Sequence, residues 1–261
     1  MSPTTAALVG ATGGAGTTRC CLELATALAA DGADVAVLDA AYDTQGLARH
    51  LPGRLDPDMT ALVTDETEST LAAGLVAFDP AERADAFAAV DGDPEPGRIA
   101  CCPAHAPFER LARAKTPDAA QALEYRIEEA AATFDYVLVD TPPLGSNPAV
   151  AAVTAADRIS VVAPATSHGL DAAQVTRGRL KDVRTAADAV VAVDRAGSEV
   201  VPQDDATVVV PSLPGDAPTA LTTERGLDAM ERLAGAVVDD AIDFAVADEG
   251  LADKLSSIRT N

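Results

Sequence analysis

The stretch Gly10-Ala11-Thr12-Gly13-Gly14-Ala15-Gly16-Thr17-Thr18-Arg19 restricts what this chain can become more than any other. It follows a short apolar run, Ala6 to Val9, and leads into a helical pattern from Thr18 to Ala30. A strand, a glycine-rich turn and a helix together are the context of a loop that holds phosphate. The glycines let the backbone turn tightly enough to aim N–H groups inward, at the positive end of the following helix. A lysine is expected after the last glycine of such a loop, and Thr17 stands there. Thr18 fills the Ser/Thr place, whose hydroxyl would ligate Mg²⁺. The alternative reading is a plain turn between strand and helix that holds nothing.

Short apolar runs rich in β-formers alternate with longer Ala-rich segments of helical period. The strand candidates are Ala6–Val9, Val35–Leu38, Ile99–Cys102, Tyr136–Val139, Ile159–Ala163, Val190–Val193 and Thr207–Val210. Helices are expected near Thr18–Ala30, Ala81–Val90, Pro107–Lys115, Asp118–Ala132, Pro148–Ala155, Asp171–Val183 and Gly226–Phe244. Thr116-Pro117 marks the start of the fourth helix, a hydroxyl cap followed by Pro at the first helical position. Runs apolar on both faces suit a buried parallel sheet. The alternation predicts an α/β fold, doubly wound, with a mostly parallel sheet of about seven or eight strands flanked by helices. Residues 1–247 read as a single domain and 248–261 as a polar tail.

Composition narrows the setting. The chain has 261 residues, a formal net charge of −22 and only three lysines, Lys115, Lys181 and Lys254. An Asp-rich, Lys-poor, Ala-rich surface reads as that of a protein from a high-salt, haloarchaeal cytoplasm, the alternative being an ordinary acidic bacterial protein. At molar salt the Debye length is about 3 Å, so such a surface repels itself far less there. The same charge argues against a broad DNA-binding face. Arg177, Arg179, Lys181 and Arg184 form the one dense basic cluster, expected to be a solvated face paired with Asp171, Asp182 and Asp188, the alternative being a face for an acidic partner or a nucleic acid. No leader pattern and no apolar run of membrane-spanning length stands out, and the tail lacks a basic amphipathic anchor. A cytoplasmic location is expected. The cysteines occur as Cys20-Cys21 and Cys101-Cys102, a spacing that suits buried thiols rather than zinc or iron–sulfur ligation.

With a longer window, the loop resembles that of the ParA/MinD family of P-loop ATPases, K-G-G-x-G-K-[ST]-[ST]. Gly13, Gly14, Gly16 and Thr18 match it. Thr12 stands where the family has the signature lysine that reaches the partner subunit's nucleotide, and Thr17 where it has the general P-loop lysine. The run Phe134-Asp135-Tyr136-Val137-Leu138-Val139-Asp140-Thr141-Pro142-Pro143 is similar to the family's Walker B strand and D-[TS]-P-P switch loop. Asp140 would then hold Mg²⁺ through its water. The run from Ala156-Asp157-Arg158 to Pro164 continues the resemblance.

The resemblance further implies a D-x-D after the second strand, whose second Asp positions the attacking water. Asp39 matches the first, while Ala41 occupies the second place, and alanine can neither hold nor activate water. Asp43 lies close by in sequence as a substitute. Asp194-Arg195 stands where the family has Asn-Arg, the Asn reading adenine. A carboxylate accepts from an amino group but cannot donate to a ring nitrogen. Pro211 lies where the family's base-side loop begins. The resemblance thus places ATP on Gly10, Thr12, Gly13, Gly14, Ala15, Gly16, Thr17, Thr18, Arg19, Asp194 and Pro211, and Mg on Thr18, Asp39 and Asp140.

Three functional readings follow. The first is a ParA/MinD-like homologue with weak or absent ATP binding and hydrolysis, acting as a homodimer or by docking on a protein partner in chromosome partition, division-site placement or cellular positioning. The second is an active ATP-driven switch that uses Arg19 and Asp43 in place of the lost motif residues. The third is a structural adaptor that needs no nucleotide.

Overall fold

Eight strands form one sheet in the order β3-β4-β2-β5-β1-β6-β7-β8. In this computed structural model, which describes residues 2–80, 86–91, 95–195 and 206–246, the strands are β1 (Thr4–Gly10), β2 (Val35–Asp39), β3 (Val76–Ala77), β4 (Ile99–Cys102), β5 (Tyr136–Thr141), β6 (Arg158–Pro164), β7 (Ala189–Val193) and β8 (Val208–Val210). All neighbours run parallel except β3 against β4. All seven expected strands are present. The unexpected one, β3, has two residues and is too short to leave a periodic signal.

The sheet is buried on both faces, and strand alternation sorts its residues between them. Ala6, Leu8, Val35, Val37 and Leu138 face the core under α1 (Thr17–Ala30) and α7 (Glu224–Val237). Ala36, Leu38, Val137 and Val139 face the opposite layer, with α2 (Met59–Leu62) and α4 (Pro117–Ala131). Beyond β1, Ala7, Val9, Val161 and Val190 pack with α5 (Asn147–Ala155) and α6 (Ser167–Asp182). The short α3 (Phe108–Arg113) links β4 to α4. The Thr116 side chain caps α4 as expected, accepting from the Ala119 N–H, with Pro117 in the first turn. All four cysteines are free and buried. Burial pushes the Cys20 thiol up to about 12, with the Glu23 charge adding to the shift.

Two helix expectations need correction. The predicted Gly226–Phe244 helix begins at Glu224, capped by Thr223, and ends at Val237. Asp239 adopts a left-handed backbone with φ of 59°, which breaks the helix. Ile242 and Phe244 are nonetheless buried, because the chain folds back onto the core. Their apolar spacing imitates a continuing helix. Of the predicted Ala81–Val90 helix, residues 81–85 lie outside the described part, and 86–90 form a turn ending in a bridge from Val90 to Val246. The expected polar tail, 248–261, also lies outside the described residues. Among the described residues, no helix is long and apolar enough to cross a membrane.

Candidate functional site

The carboxyl ends of β1, β2, β5 and β7 open on the same edge of the sheet, where its order reverses around β1. The glycine-rich loop leaves β1 at Gly10 and enters α1 at Thr17. Gly14 and Gly16 have φ of 68° and 105°, backbone that side chains with a Cβ rarely adopt. Ala11 donates to the Val162 carbonyl at 2.8 Å, and Ala15 to Thr12 at 3.2 Å, so both flanks of the turn are tied down. In the P-loop pattern G-x-x-x-x-G-K-[ST] the first glycine falls five residues before Gly16, on Ala11, so Gly10 stands one place early and that spacing is not met. Gly16 supplies no side-chain cap, so the N-terminus of α1 is left for other acceptors.

Two carboxylates stand beneath this loop. Asp39 ends β2 and Asp140 lies near the end of β5, directly across the ladder from each other, and both are fully buried. The Thr18 hydroxyl donates to Asp140 Oδ2 at 2.5 Å. Asp140 Oδ1 has no partner. Asp39 accepts from the Ala41 N–H at 2.8 Å and the Ala104 N–H at 3.3 Å. Burial raises the Asp140 carboxyl above the usual carboxylate range, against the hydrogen bond from the Thr18 hydroxyl that lowers it. Burial lifts Asp39 well above that range, and the neighbouring Asp140 charge lifts it further. Two buried like charges without a cation favour either a proton or a metal ion. The chain after Asp39 passes so close to Thr18 that a Cβ on Gly46 would lie 2.7 Å from the Thr18 oxygen.

The remaining candidates divide into those near this point and those turned away. Thr12 sits on the loop, and its carbonyl closes the turn. Ala41 is buried, and its carbonyl accepts from the Thr44 and Gln45 N–H groups. Asp43 is 65% exposed and pairs with Lys115 at 2.5 Å. Arg19 faces the loop at 214–219: it donates to Gly215 O at 2.9 Å, Thr219 Oγ1 at 2.8 Å and Pro214 O at 3.3 Å, and pairs with Glu23 at 3.1 Å. Asp194 follows β7 and donates its N–H to Val210 O at 2.9 Å. A cavity of about 250 Å³ opens beside Gly16, lined by Arg19, Cys20, Asp194, Arg195 and Pro211.

On α6, the basic cluster does not pair as expected. Arg177 bonds to Gln174 and Arg179 to the Leu144 carbonyl, while Asp188 accepts from the Ile159 N–H. Three residues escaped the sequence reading: Glu23, Gly46 and the role of Arg195. Glu23 had a legible signal, standing four residues after Arg19 on one helix face. Gly46 had none, since its importance is a through-space approach to Thr18.

A family model described as an AAA domain matches residues 4–189, more than half of the chain. No curated protein matches the sequence significantly. Among solved structures, the chain is similar to the septum site-determining protein MinD from Pyrococcus horikoshii OT3 complexed with Mg-ADP, with TM-score 0.66 and 18% identity over 99% of this chain and 100% of that one. It is similar also to a cobyrinic acid a,c-diamide synthase from Mycobacterium smegmatis with a bound ATP analogue and magnesium, with TM-score 0.64 and 17% identity over 93% and 98%. An McdA variant from Cyanothece in complex with ATP gives TM-score 0.61 and 16% identity over 92% and 100%. The chain therefore belongs to the AAA-domain family, with the fold of the ParA/MinD-type P-loop ATPases.

Proposed function

We propose that this protein is a ParA/MinD-like nucleotide-switch homologue that binds a nucleotide with Mg²⁺ and hydrolyses it slowly or not at all. It acts in a high-salt cytoplasm by dimerising or docking on a protein partner, in chromosome partition, division-site placement or positioning of a cellular machine. The observation that carries the reading is the buried pair Asp39 and Asp140 beneath a glycine loop, with Asp140 Oδ1 unpartnered and Thr18 already bonded to the other oxygen.

The residues present fit an Mg-nucleotide. Thr18, Asp140 and Asp39 would hold the metal, the loop from Gly13 to Thr18 the phosphates, and the cavity beside Asp194 the base. Bound there, the ion would draw charge from the phosphate oxygens and offset the two carboxylates. What the chain itself contributes to turnover is small. Thr17 offers a hydroxyl and no positive charge. Ala41 presents a buried methyl group where a water-orienting carboxylate would be needed. Each missing charge-assisted hydrogen bond removes about 1.5–3 kcal/mol, and the loss falls where negative charge develops in phosphoryl transfer.

Titration calorimetry and a phosphate-release assay at molar KCl test the reading together. The expected result is measurable binding of Mg-ATP or Mg-ADP with turnover at background. Brisk turnover, abolished by Thr18→Ala or Asp140→Asn, would overturn the impaired-enzyme reading. Absence of binding to every nucleotide would overturn the switch itself and leave an adaptor.

A further inference from the structure

The loop and its helix start hold no cation except Arg19, and Arg19 is held by Glu23, Thr219 and two carbonyls of the loop at 214–219. Positive charge nevertheless reaches the loop from a different strand. Arg195 follows Asp194 at the end of β7 and lines the cavity. Its Nη2 donates to the Gly14 carbonyl, at the apex of the turn. The same nitrogen would lie 3.6 Å from a Cβ on Gly16, so the guanidinium rests along the bare backbone of the loop. Its own backbone is braced, with the Arg195 carbonyl accepting from the Ser212 hydroxyl at 3.4 Å.

We propose that Arg195 is the phosphate-contacting cation of this site, supplying from the base-side strand the charge that Thr12 and Thr17 do not. The ligand class is a nucleoside di- or triphosphate, and the inference rests on the nucleotide-binding reading given above. A guanidinium has five N–H donors in a planar fork that matches phosphate oxygens, and the bond to Gly14 uses only part of that capacity. Arg195 is exposed, so turning from a carbonyl to a phosphate needs no burial of charge and no change in the sheet. Because it adjoins Asp194, one short segment would contact both ends of the nucleotide. A cation placed there strengthens binding while leaving the missing water-orienting group at Ala41 unreplaced, which fits a switch that holds its ligand without splitting it.

The test is equilibrium binding of ADP, ATP and adenosine to the full chain at molar KCl, for the wild type, Arg195→Ala, Arg195→Lys and Arg177→Ala. Arg177 is an exposed cation on α6, outside the site, and controls for net charge. Loss of one charge-assisted contact predicts that Arg195→Ala weakens ADP and ATP by about tenfold to a hundredfold. Adenosine should bind as before, Arg195→Lys should recover part of the loss, and Arg177→Ala should change nothing. Equal ADP affinity in wild type and Arg195→Ala would overturn the inference while leaving the nucleotide reading intact. An equal loss for adenosine would also overturn it, by placing the effect in the base cavity. If the wild type binds no nucleotide, the underlying reading falls and this inference with it. Thermal unfolding of each variant checks that the fold persists.

Discussion

Replacing Glu23 with alanine tests whether the wall beside the cavity, at residues 214–220, is held by one buried carboxylate. Glu23 is 1% exposed on α1. One of its oxygens accepts from the Thr219 N–H at 2.8 Å and the Ala220 N–H at 2.7 Å, and the other from Arg19 Nε at 3.1 Å. Ala220 is fully buried, so truncation leaves its N–H without acceptor or water. A buried donor stranded in this way costs about 1–3 kcal/mol, and the charge-assisted partner bond raises the cost further. Since these terms are not additive within one cluster, a total of roughly 2–4 kcal/mol is expected. For a chain of this size that is a fall in Tm of roughly 4–8 °C. Glu23→Gln keeps an acceptor for the two N–H groups and should lose about half as much. Hydrogen exchange locates the effect: peptides covering 211–222 should exchange faster in Glu23→Ala, while β1 and β5 stay protected. A loss below about 1 kcal/mol, or faster exchange in α1 with 211–222 unchanged, would refute the idea that this carboxylate holds the wall.

Thr17→Lys should restore charge to the loop and tighten ATP binding about tenfold, with turnover still near background because Ala41 is unchanged; calorimetry and phosphate release measure the two effects. Asp39 and Asp140 are raised above the ordinary carboxylate range in the folded chain, so the fold binds more protons than the unfolded state below their raised pKa values. Metal-free protein should therefore gain stability from this pair as pH falls from neutrality towards about 4, and Asp140→Asn should flatten that part of the Tm–pH curve. Arg126 on α4 is almost fully buried and donates to Leu62 O at 3.0 Å and Thr67 O at 2.8 Å, beside Glu129 at 2.5 Å. Arg126→Ala should cost about 3–5 kcal/mol in denaturant unfolding. Nucleotide affinity should rise between low and molar KCl, because salt screens the repulsion between a chain of charge −22 and a polyanion while a contact-distance bond to Arg195 survives. A monotonic fall in affinity with salt would count against that.

The sheet was legible because its strands are short apolar runs buried on both faces, so each stands out from the Ala-rich helices around it. The pattern failed where burial and helical period part company. Val237, Ile242 and Phe244 are all buried, yet only the first is helical, because Asp239 takes a left-handed turn and the chain returns to the core without helical structure. Periodicity reports which residues are covered, and it cannot tell a helix from a segment that happens to lie on the core at similar intervals. β3 failed for the opposite reason: with two residues it has no period at all.

At the site, residue identity was readable and direction was not. The Thr18 hydroxyl bonds to Asp140, and the buried Asp39 lies across the ladder from it, three residues that the family resemblance had named together. Arg19 and Arg195 show the difference. One lies inside the motif, and its guanidinium is drawn off by a carboxylate one turn along the helix and by the loop at 214–219. The other lies far along the chain, and a parallel strand delivers it to the same few ångströms of backbone at Gly14. Sequence distance ranks the two cations in the wrong order because helix direction and strand register decide where a long side chain ends. The loss of loop lysines, visible from sequence alone, therefore describes the loop and not the charge that the folded site places beside it.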